Sequence, residues 1–267
     1  MLLPGSADFQ QDKAALLAAL AHAIAPLGLD AAAITLDGVF PSFAAIRVDL
    51  TGARLTRDYR PARGRADATG GISCRVLEIE AAPAQIENLP CSLSLRANDC
   101  FFAFGSTADG ERAAILDRCS GGSLEVTAGI ADIEAALLAI AGEAAAAHGA
   151  AIQSVHVSME IENPRRLAIT ATATARAMMF SATLTVRGRL EITEDFNLQF
   201  SDLACTGDGM IANLAAGRLR SRLAELEARR FSLSQALPGG IVLTSIEFDN
   251  SHPLKIKASF GSTLAPP

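Results

Sequence analysis

The chain has 267 residues, of which 50% are hydrophobic and 19% are charged, and its formal net charge is -6. This length suffices for one large domain or two ordinary ones, and the apolar content excludes an intrinsically disordered chain. Nucleic-acid-binding proteins usually carry basic patches and aromatic stacking platforms. The acidic balance, the lack of Trp and the single Tyr therefore predict no nucleic-acid partner.

The cysteines are scattered and contain no Cys-x-x-Cys pair: Cys74, Cys91, Cys100, Cys119 and Cys205. This favours reduced, buried thiols over a disulfide framework or a zinc site, with a single Cys91–Cys100 disulfide left open. The first residues lack a signal-peptide pattern, and no apolar run reaches the roughly 18 residues of a membrane-spanning helix. We therefore expect a cytoplasmic protein with no integral membrane segment, and transient membrane contact stays open.

The first half predicts a lead-in, one helix and a series of short strands. After a loose segment over 1–10, Leu16, Leu20 and Ile24 recur at helical spacing and predict a helix over 11–27. After this helix, several short segments alternate apolar and polar residues and predict strands. Turn residues separate these segments, and such tight turns favour antiparallel pairing. The arginine-rich stretch 57–70 predicts an exposed loop, where plain solvation is favoured over anion binding. The predicted strands span 32–40, 45–56, 72–80, 91–97, 100–104, 113–119 and 123–128.

The second half predicts an alanine-rich helix, four strands, a second helix and two last strands. The helices span 132–148 and 210–229, and Pro238-Gly239-Gly240 precedes the closing strands. Ile169, Ala171, Ala173 and Ala175 alternate with threonines, which predicts a strand with an almost flat apolar face. The predicted strands span 152–161, 167–178, 182–192, 196–205, 241–248 and 254–260.

Parts of the first half recur in the second at an offset of 121 residues. The run Ala-Ala-Leu-Leu-Ala occurs at 14–18 and at 135–139. At this offset Ile34 falls on Val155 and Ile46 on Leu167, so helix and strand register are both matched. The pattern predicts two related halves, 1–125 and 126–267, that arose by duplication.

Catalytic and metal-binding motifs are absent from the sequence. There is no dinucleotide- or nucleotide-binding glycine motif, no nucleophile elbow, and no metal-ligand spacing among the histidines and cysteines. Gly207-Asp208-Gly209 precedes a helix, where a turn with an N-cap is favoured over a phosphate site. Three acid pairs at strand spacing predict solvated faces rather than acid/base catalysis: Glu78 with Glu80, Glu160 with Glu162, and Glu191 with Glu194. We expect no enzymatic activity and no cofactor.

The order of elements in the second half resembles the tubular lipid-binding superfamily, which includes the bactericidal/permeability-increasing-protein-like domains and small bacterial relatives. A long apolar helix is followed by amphipathic strands, Gly207-Asp208-Gly209, a second helix, the segment around Pro238-Gly239-Gly240 and a final strand. The resemblance implies an α+β fold in which long, strongly curved antiparallel sheets wrap long apolar helices. It also implies non-enzymatic binding or carriage of a lipid or other apolar small molecule in a groove between helix and sheet.

Candidate ligand contacts come from the apolar positions of the helix at 132–148 and of the strands that follow. Small side chains on a sheet face leave room for a ligand, and methionines adapt to irregular apolar surfaces, although both also serve as core filler. The candidates are Leu137, Ile169, Ala171, Ala173, Ala175, Met178, Met179, Phe180, Leu184 and Val186. The alternative hypothesis is a structural or interaction protein without a ligand, resembling the duplicated scaffold of sliding clamps. The oligomeric state is not predicted.

Overall fold

A computed structural model describes residues 2–5, 12–55, 64–107, 112–146, 150–177, 180–208, 210–234 and 241–262. Strands account for 64% of these residues and helices for 23%. The expected α+β fold, with long curved sheets wrapped on long apolar helices, is therefore wrong: the protein is mostly β, with two sheets and short helices. Long alternating stretches continue as strands where the sequence predicted breaks.

The chain divides into two compact units. The first comprises 1–126, 234–245 and 257–267, and the second comprises 127–233 and 246–256. The first helix, α1 (Lys13–Ile24), belongs to the first unit and is capped by the Asp12 carboxylate, which accepts a 2.8 Å hydrogen bond from the Ala15 amide. In the second unit α2 spans Ile130–Ala146 and α3 spans Met210–Glu227.

A ten-stranded sheet contains the strands of the first unit and the last two strands of the chain. Its main path runs in the order β14-β15-β8-β6-β5-β3-β2, with β7 joining β1 to β6 and β4 beside β5. Its strands are β1 (Leu2–Gly5), β2 (Ile34–Val39), β3 (Ser42–Asp49), β4 (Arg54–Leu55), β5 (Gly64–Ile86), β6 (Leu89–Thr107), β7 (Arg112–Arg118), β8 (Gly121–Ala128), β14 (Ile241–Ser251) and β15 (Leu254–Ser262).

A five-stranded antiparallel sheet belongs to the second unit. Its order is β13-β12-β11-β10-β9, so the neighbours along the chain from β9 to β13 are also neighbours in space. The strands are β9 (Ala151–Asn163), β10 (Arg166–Ala177), β11 (Phe180–Ile192), β12 (Asn197–Asp208) and β13 (Arg230–Ser232).

Several predicted boundaries in the first unit are wrong. The lead-in contains β1, which pairs with β7, and the predicted loop 57–70 is part of β5 from Gly64 onwards; 56–63 lie outside the described residues. Asn98-Asp99 was predicted to separate two strands but lies within the continuous strand β6, where Asp99 adopts a left-handed conformation with φ 48°. The pairing of β3 with β5 is parallel, although only antiparallel pairing was expected.

The pairing of strands differs between the two halves that the sequence predicted to be related. In both units a helix is followed by an antiparallel strand pair, but Ile34 pairs with Val48, whereas Val155 pairs with Ala173 rather than with Ile169. The next strand then pairs parallel in the first unit and antiparallel in the second. A gapless offset of 121 residues therefore does not describe the strand pairing.

The core of the first unit lies between α1 and the ten-stranded sheet. Leu16, Leu20 and Ile24 recur on one side of α1 and are buried against residues of β2, β3, β5 and β6, among them Ile72 and Phe102. Leu16 is completely inaccessible to solvent, and Phe102 is 1% exposed. Large branched and aromatic side chains thus fill the space under α1.

Truncating Leu16 in this core should destabilise the first unit strongly. Leu16→Ala removes buried methyl groups and leaves a cavity, so we expect its free energy of unfolding to fall by about 3 kcal/mol. Val39 is 78% exposed, and Val39→Ala should change the free energy by less than about 0.5 kcal/mol. Urea denaturation followed by circular dichroism measures both; equal effects of the two variants would contradict this description of the core.

Candidate functional site

The middle of the five-stranded sheet carries a half-buried apolar surface, which we call the central face. In the register of β10 with β11, Ile169 lies opposite Gly188, Ala171 opposite Val186, Ala173 opposite Leu184, and Ala175 opposite Ala182. All eight residues are half-buried, and they belong to the two inner strands of the four long ones. Burial is uneven along these two strands: Leu167 and Ile192 at one end are buried, whereas the stretch that pairs Ala171–Ala175 with Ala182–Val186 is more open.

Helix α2 packs against the edge strand β9 on one side of the central face. The β9 residues on this face, Val155, Val157 and Met159, are buried, as is Ala136 of α2. The helix has only three charged residues among its 17, yet Leu137 is 38% and Ile140 47% exposed. An apolar helix usually buries more of its surface than this.

Helix α3 packs against β12 and β11 on the other side. A Cβ atom on Gly207 would lie 2.3 Å from the backbone carbon of Ala212, so the glycine is required for α3 to approach β12 so closely. Cys205, Ala212 and Ala216 are buried beside this contact. Gly207 therefore has a packing role, and Gly209 of the Gly-Asp-Gly sequence lies outside the described residues.

One large side chain closes part of the central face. The register of β11 with β12 shifts between Arg187 and Arg189, and Asp202 adopts a left-handed conformation with φ 54° at this bulge. The Leu203 side chain then occupies the space over Gly188, where a Cβ atom would lie 2.3 Å from Leu203 Cδ2. The face is accordingly more open from Ala171 towards Ala175 than at Gly188.

Two glutamates bind the backbone at opposite edges of the sheet. The amide of Val157 in β9 donates to Glu134 Oε1 of α2 at 2.7 Å, and the amide of Leu203 in β12 donates to Glu227 Oε1 of α3 at 2.6 Å. Unpaired edge amides are sites for aggregation, and each helix satisfies one of them with a carboxylate. Glu134 was not among the residues predicted from the sequence, although its position on an otherwise apolar helix face could have indicated a role.

The candidate ligand contacts are distributed unevenly around this face. Ile169, Ala171, Ala173, Ala175, Leu184 and Val186 lie together on the central face. Leu137 lies on the exposed part of α2, and Phe180 begins β11 opposite Ala177. Met178 and Met179 lie outside the described residues. Whether any of these residues contacts a ligand stays a prediction.

The opposite face of the same sheet is polar and held by ion pairs across strands. Arg189 Nε donates to Glu162 at 2.9 Å and its Nη1 to Asp202, and Arg166 Nη2 donates to Glu191 at 3.1 Å. The hydrogen bond that Arg189 donates to Glu162, followed by the one it donates to Asp202, raises the pKa of Arg189 above its ordinary value. In the first unit Glu78 similarly pairs with Arg47 at 2.9 Å and with Arg96 at 3.3 Å. One member of each predicted acid pair is thus a partner for arginine.

The described residues contain no group of three or more His, Cys, Asp or Glu side chains placed to hold a metal ion. None of the described helices is both long and apolar enough to cross a bilayer. Comparison with protein-family models, with curated proteins and with solved structures finds no match. The central face itself is an apolar surface lined by small side chains, with polar groups at the strand edges.

All five cysteines are free and buried. Cys91 lies opposite Ala84 and Cys100 opposite Cys74, so the two residues of the open disulfide alternative have different partners. Burial, and then the neighbouring Cys119, Cys74 and Asp99, raise the pKa of Cys100 to about 12. Burial also raises the pKa of Cys205, while the nearby Arg220 lowers it in part.

Removing the Glu134 carboxylate should open the β9 edge. In Glu134→Ala the Val157 amide loses its acceptor, so we expect faster hydrogen exchange at this amide and a loss of about 1–3 kcal/mol in stability. Glu134→Gln keeps a carbonyl oxygen as acceptor and should lose less. Amide exchange of Val157 in the two variants measures the difference; unchanged protection in Glu134→Ala would contradict the edge contact.

The buried thiols should react slowly and in a defined order. Thiolates, not thiols, attack iodoacetamide, and a raised pKa keeps Cys100 protonated at pH 8. We expect Cys205 to be alkylated before Cys100 in the folded protein, and all five cysteines to be alkylated rapidly in denaturant. Peptide mass spectrometry over time measures the order. Labelling of Cys100 as fast as Cys205 in the folded state would contradict it.

Proposed function

We propose that the second unit binds an acyl chain or a similar apolar ligand on the central face and carries it without chemical change. The observation that supports this proposal is a half-buried apolar stretch bordered by buried residues: Ala171 and Val186 are half-buried, whereas Val157 on β9 and Cys205 on β12, which pair with them, are buried, as is Leu167 at one end of β10. Exposed apolar surface flanked by helices is typical of ligand-binding grooves.

The placement of the helices supports a groove of suitable width. Strands β9 and β12, against which α2 and α3 pack, are three strand spacings apart, or about 14 Å. Directly packed helices need an axial separation of only about 8–10 Å. With each helix over its strand, a strip of roughly 4–6 Å is left between them, about the width of one hydrocarbon chain whose carbons contact their neighbours at ~4 Å.

The energetics of this strip also favour an acyl chain. Burial of each CH₂ group contributes about 0.8 kcal/mol, so a sixteen-carbon tail gains on the order of 10 kcal/mol before the costs of ordering and association. The alanine side chains at 171, 173 and 175 reach only a short distance from the strand and leave this volume to a ligand. Larger residues would fill the strip themselves.

The relation to the tubular lipid-binding superfamily is part of the proposal. Its support is the order of helix, four antiparallel strands and second helix in the second unit. It does not depend on sheets that wrap long helices, an arrangement that the described part of the chain does not show. We further propose a reducing compartment such as the cytoplasm, since five free cysteines are typical of proteins that are kept reduced.

A paired substitution on the two sides of β10 tests the binding face. Ala171→Phe places a ring in the middle of the central face, and Thr170→Phe places the same ring on the polar side of the sheet. Titration of each purified variant with a fluorescent long-chain fatty acid measures affinity. We expect saturable binding by the unmodified protein, at least a tenfold loss in Ala171→Phe, and less than a twofold change in Thr170→Phe.

Two outcomes would contradict lipid binding. The first is the absence of saturable fatty-acid binding together with no co-purified lipid in native mass spectrometry. The second is equal weakening by Ala171→Phe and Thr170→Phe, which would show a general effect of the ring. A stable oligomer that Leu137→Ser or Ile140→Ser dissociates, with no bound lipid, would instead support the scaffold hypothesis, because both side chains are exposed on α2.

A further inference from the structure

A cleft of about 380 Å³ opens on the solvent-facing side of the ten-stranded sheet, within the first unit. Its lining includes the polar or aromatic side chains of Ser42, Ser73, Arg75, Asp99, Phe101 and Arg118. The volume lies in the range of small-molecule sites. No part of the lipid-binding proposal uses these residues.

The cleft lies where the alternation of neighbouring strands is interrupted. In β6 two consecutive residues, Asn98 and Asp99, are exposed between the buried Ala97 and Cys100, and Asp99 adopts a left-handed conformation with φ 48°. In β5 the buried residues Cys74 and Leu77 are likewise separated by two residues. Beside this stretch the register of β6 with β7 shifts between Phe101 and Phe102. Bulges re-aim side chains, and strained backbone is common at functional sites.

Arg75 supplies an unpaired cation. Its side chain lines the cleft and is exposed, and it forms no hydrogen bond or ion pair with any residue that the structure describes. Arg75 and Asp99 occupy facing positions between the pairs Cys74–Cys100 and Val76–Asn98, yet they are not bonded to each other. The guanidinium fork is therefore available to a carboxylate ligand.

Arg118 and Phe101 form a flat wall beside it. The guanidinium carbon of Arg118 lies 4.4 Å from the centre of the Phe101 ring, and Arg118 pairs with Phe101 across β6 and β7. Arg118 Nη1 is 3.8 Å from Asp117 Oδ2, which is beyond hydrogen-bond distance. Phe101 lies over Gly71, where a Cβ atom would be 2.6 Å from its ring, so the glycine makes room for the ring.

Asp99 supplies a hydrogen-bond acceptor in the cleft, at the position of β6 that faces Arg75. Its Oδ2 accepts a 3.0 Å hydrogen bond from Ser120, and the Ser73 and Ser42 hydroxyls are 2.9 Å apart. Arg75, Arg118 and Asp99 line the cleft, and Asp117 lies outside the lining with its Oδ2 3.8 Å from Arg118 Nη1, so the charges at and beside the cleft balance. A dianionic phosphate would gain little from this balance, whereas one carboxylate beside a hydroxyl or ammonium donor matches Arg75 and Asp99.

We propose that this cleft binds a small carboxylic acid that carries a neighbouring hydroxyl or amine and an apolar or aromatic group. The carboxylate binds Arg75, the donor binds Asp99, and the apolar group packs on the Phe101–Arg118 wall. Binding involves no covalent step. The site is independent of the central face, since all its lining residues belong to the first unit.

Three related probes separate these contributions by isothermal titration calorimetry: 3-phenyllactate, 3-phenylpropionate without the hydroxyl, and 2-phenylethanol without the carboxylate. We expect 3-phenyllactate to bind saturably, 3-phenylpropionate about threefold to tenfold more weakly, and 2-phenylethanol more than tenfold more weakly. Arg75→Gln should weaken 3-phenyllactate at least tenfold. Arg96→Gln is the matched control, because it removes the same charge from the same sheet outside the cleft lining, and should change the affinity less than twofold.

The lipid-binding variant distinguishes the two proposals. Ala171→Phe should leave 3-phenyllactate binding unchanged, and Arg75→Gln should leave fatty-acid binding unchanged. The cleft proposal is overturned if 3-phenyllactate shows no saturable binding, if Arg75→Gln and Arg96→Gln weaken it equally, or if removal of its carboxylate has no effect. Circular dichroism and thermal unfolding of Arg75→Gln verify that the exposed substitution keeps the fold.

Discussion

Each sheet of this protein has to bury one face with very little helix. In the five-stranded sheet, α2 packs against β9, and α3 packs mainly against β12 and partly against β11. Between them, the stretch around Ala171, Ala173 and Ala175 carries short side chains that stay half-buried. Because apolar surface in contact with water costs free energy in proportion to its area, this arrangement favours any apolar molecule that fits between the helices.

The ten-stranded sheet meets the same requirement differently. There α1 is short, but Leu16, Leu20 and Ile24 are buried against large side chains such as Ile72 and Phe102. The core is consequently filled by the protein itself. The contrast between the units lies in side-chain size: Ala171 and Ala173 of β10 pair with Val157 and Val155 of β9, whereas the branched Ile46 and Val48 of β3 pair with Leu36 and Ile34 of β2.

The sequence was informative where one periodicity continued without interruption. Alternation in the second unit predicted its strands and the shared face of Ile169, Ala171 and Ala173, and the register of β10 with β11 confirms that these residues lie together. The parallel pairing of β3 with β5 could not be predicted in this way, since alternation is the same in both directions of pairing. Pairing depends on contacts between residues far apart in the sequence, which a local pattern does not contain.

Asn98-Asp99 shows why local turn chemistry misled the boundary prediction. Asn and Asp tolerate a left-handed backbone, and this conformation serves a turn or a bulge equally well. In β6 the hydrogen bonds to β5 continue on both sides, so Asp99 changes the direction of side chains without ending the strand. The same residue that imitates a turn therefore points a carboxylate into a cleft opposite Arg75. An interruption of alternation in two neighbouring strands thus marks the position of this cleft, which no single motif in the sequence indicated.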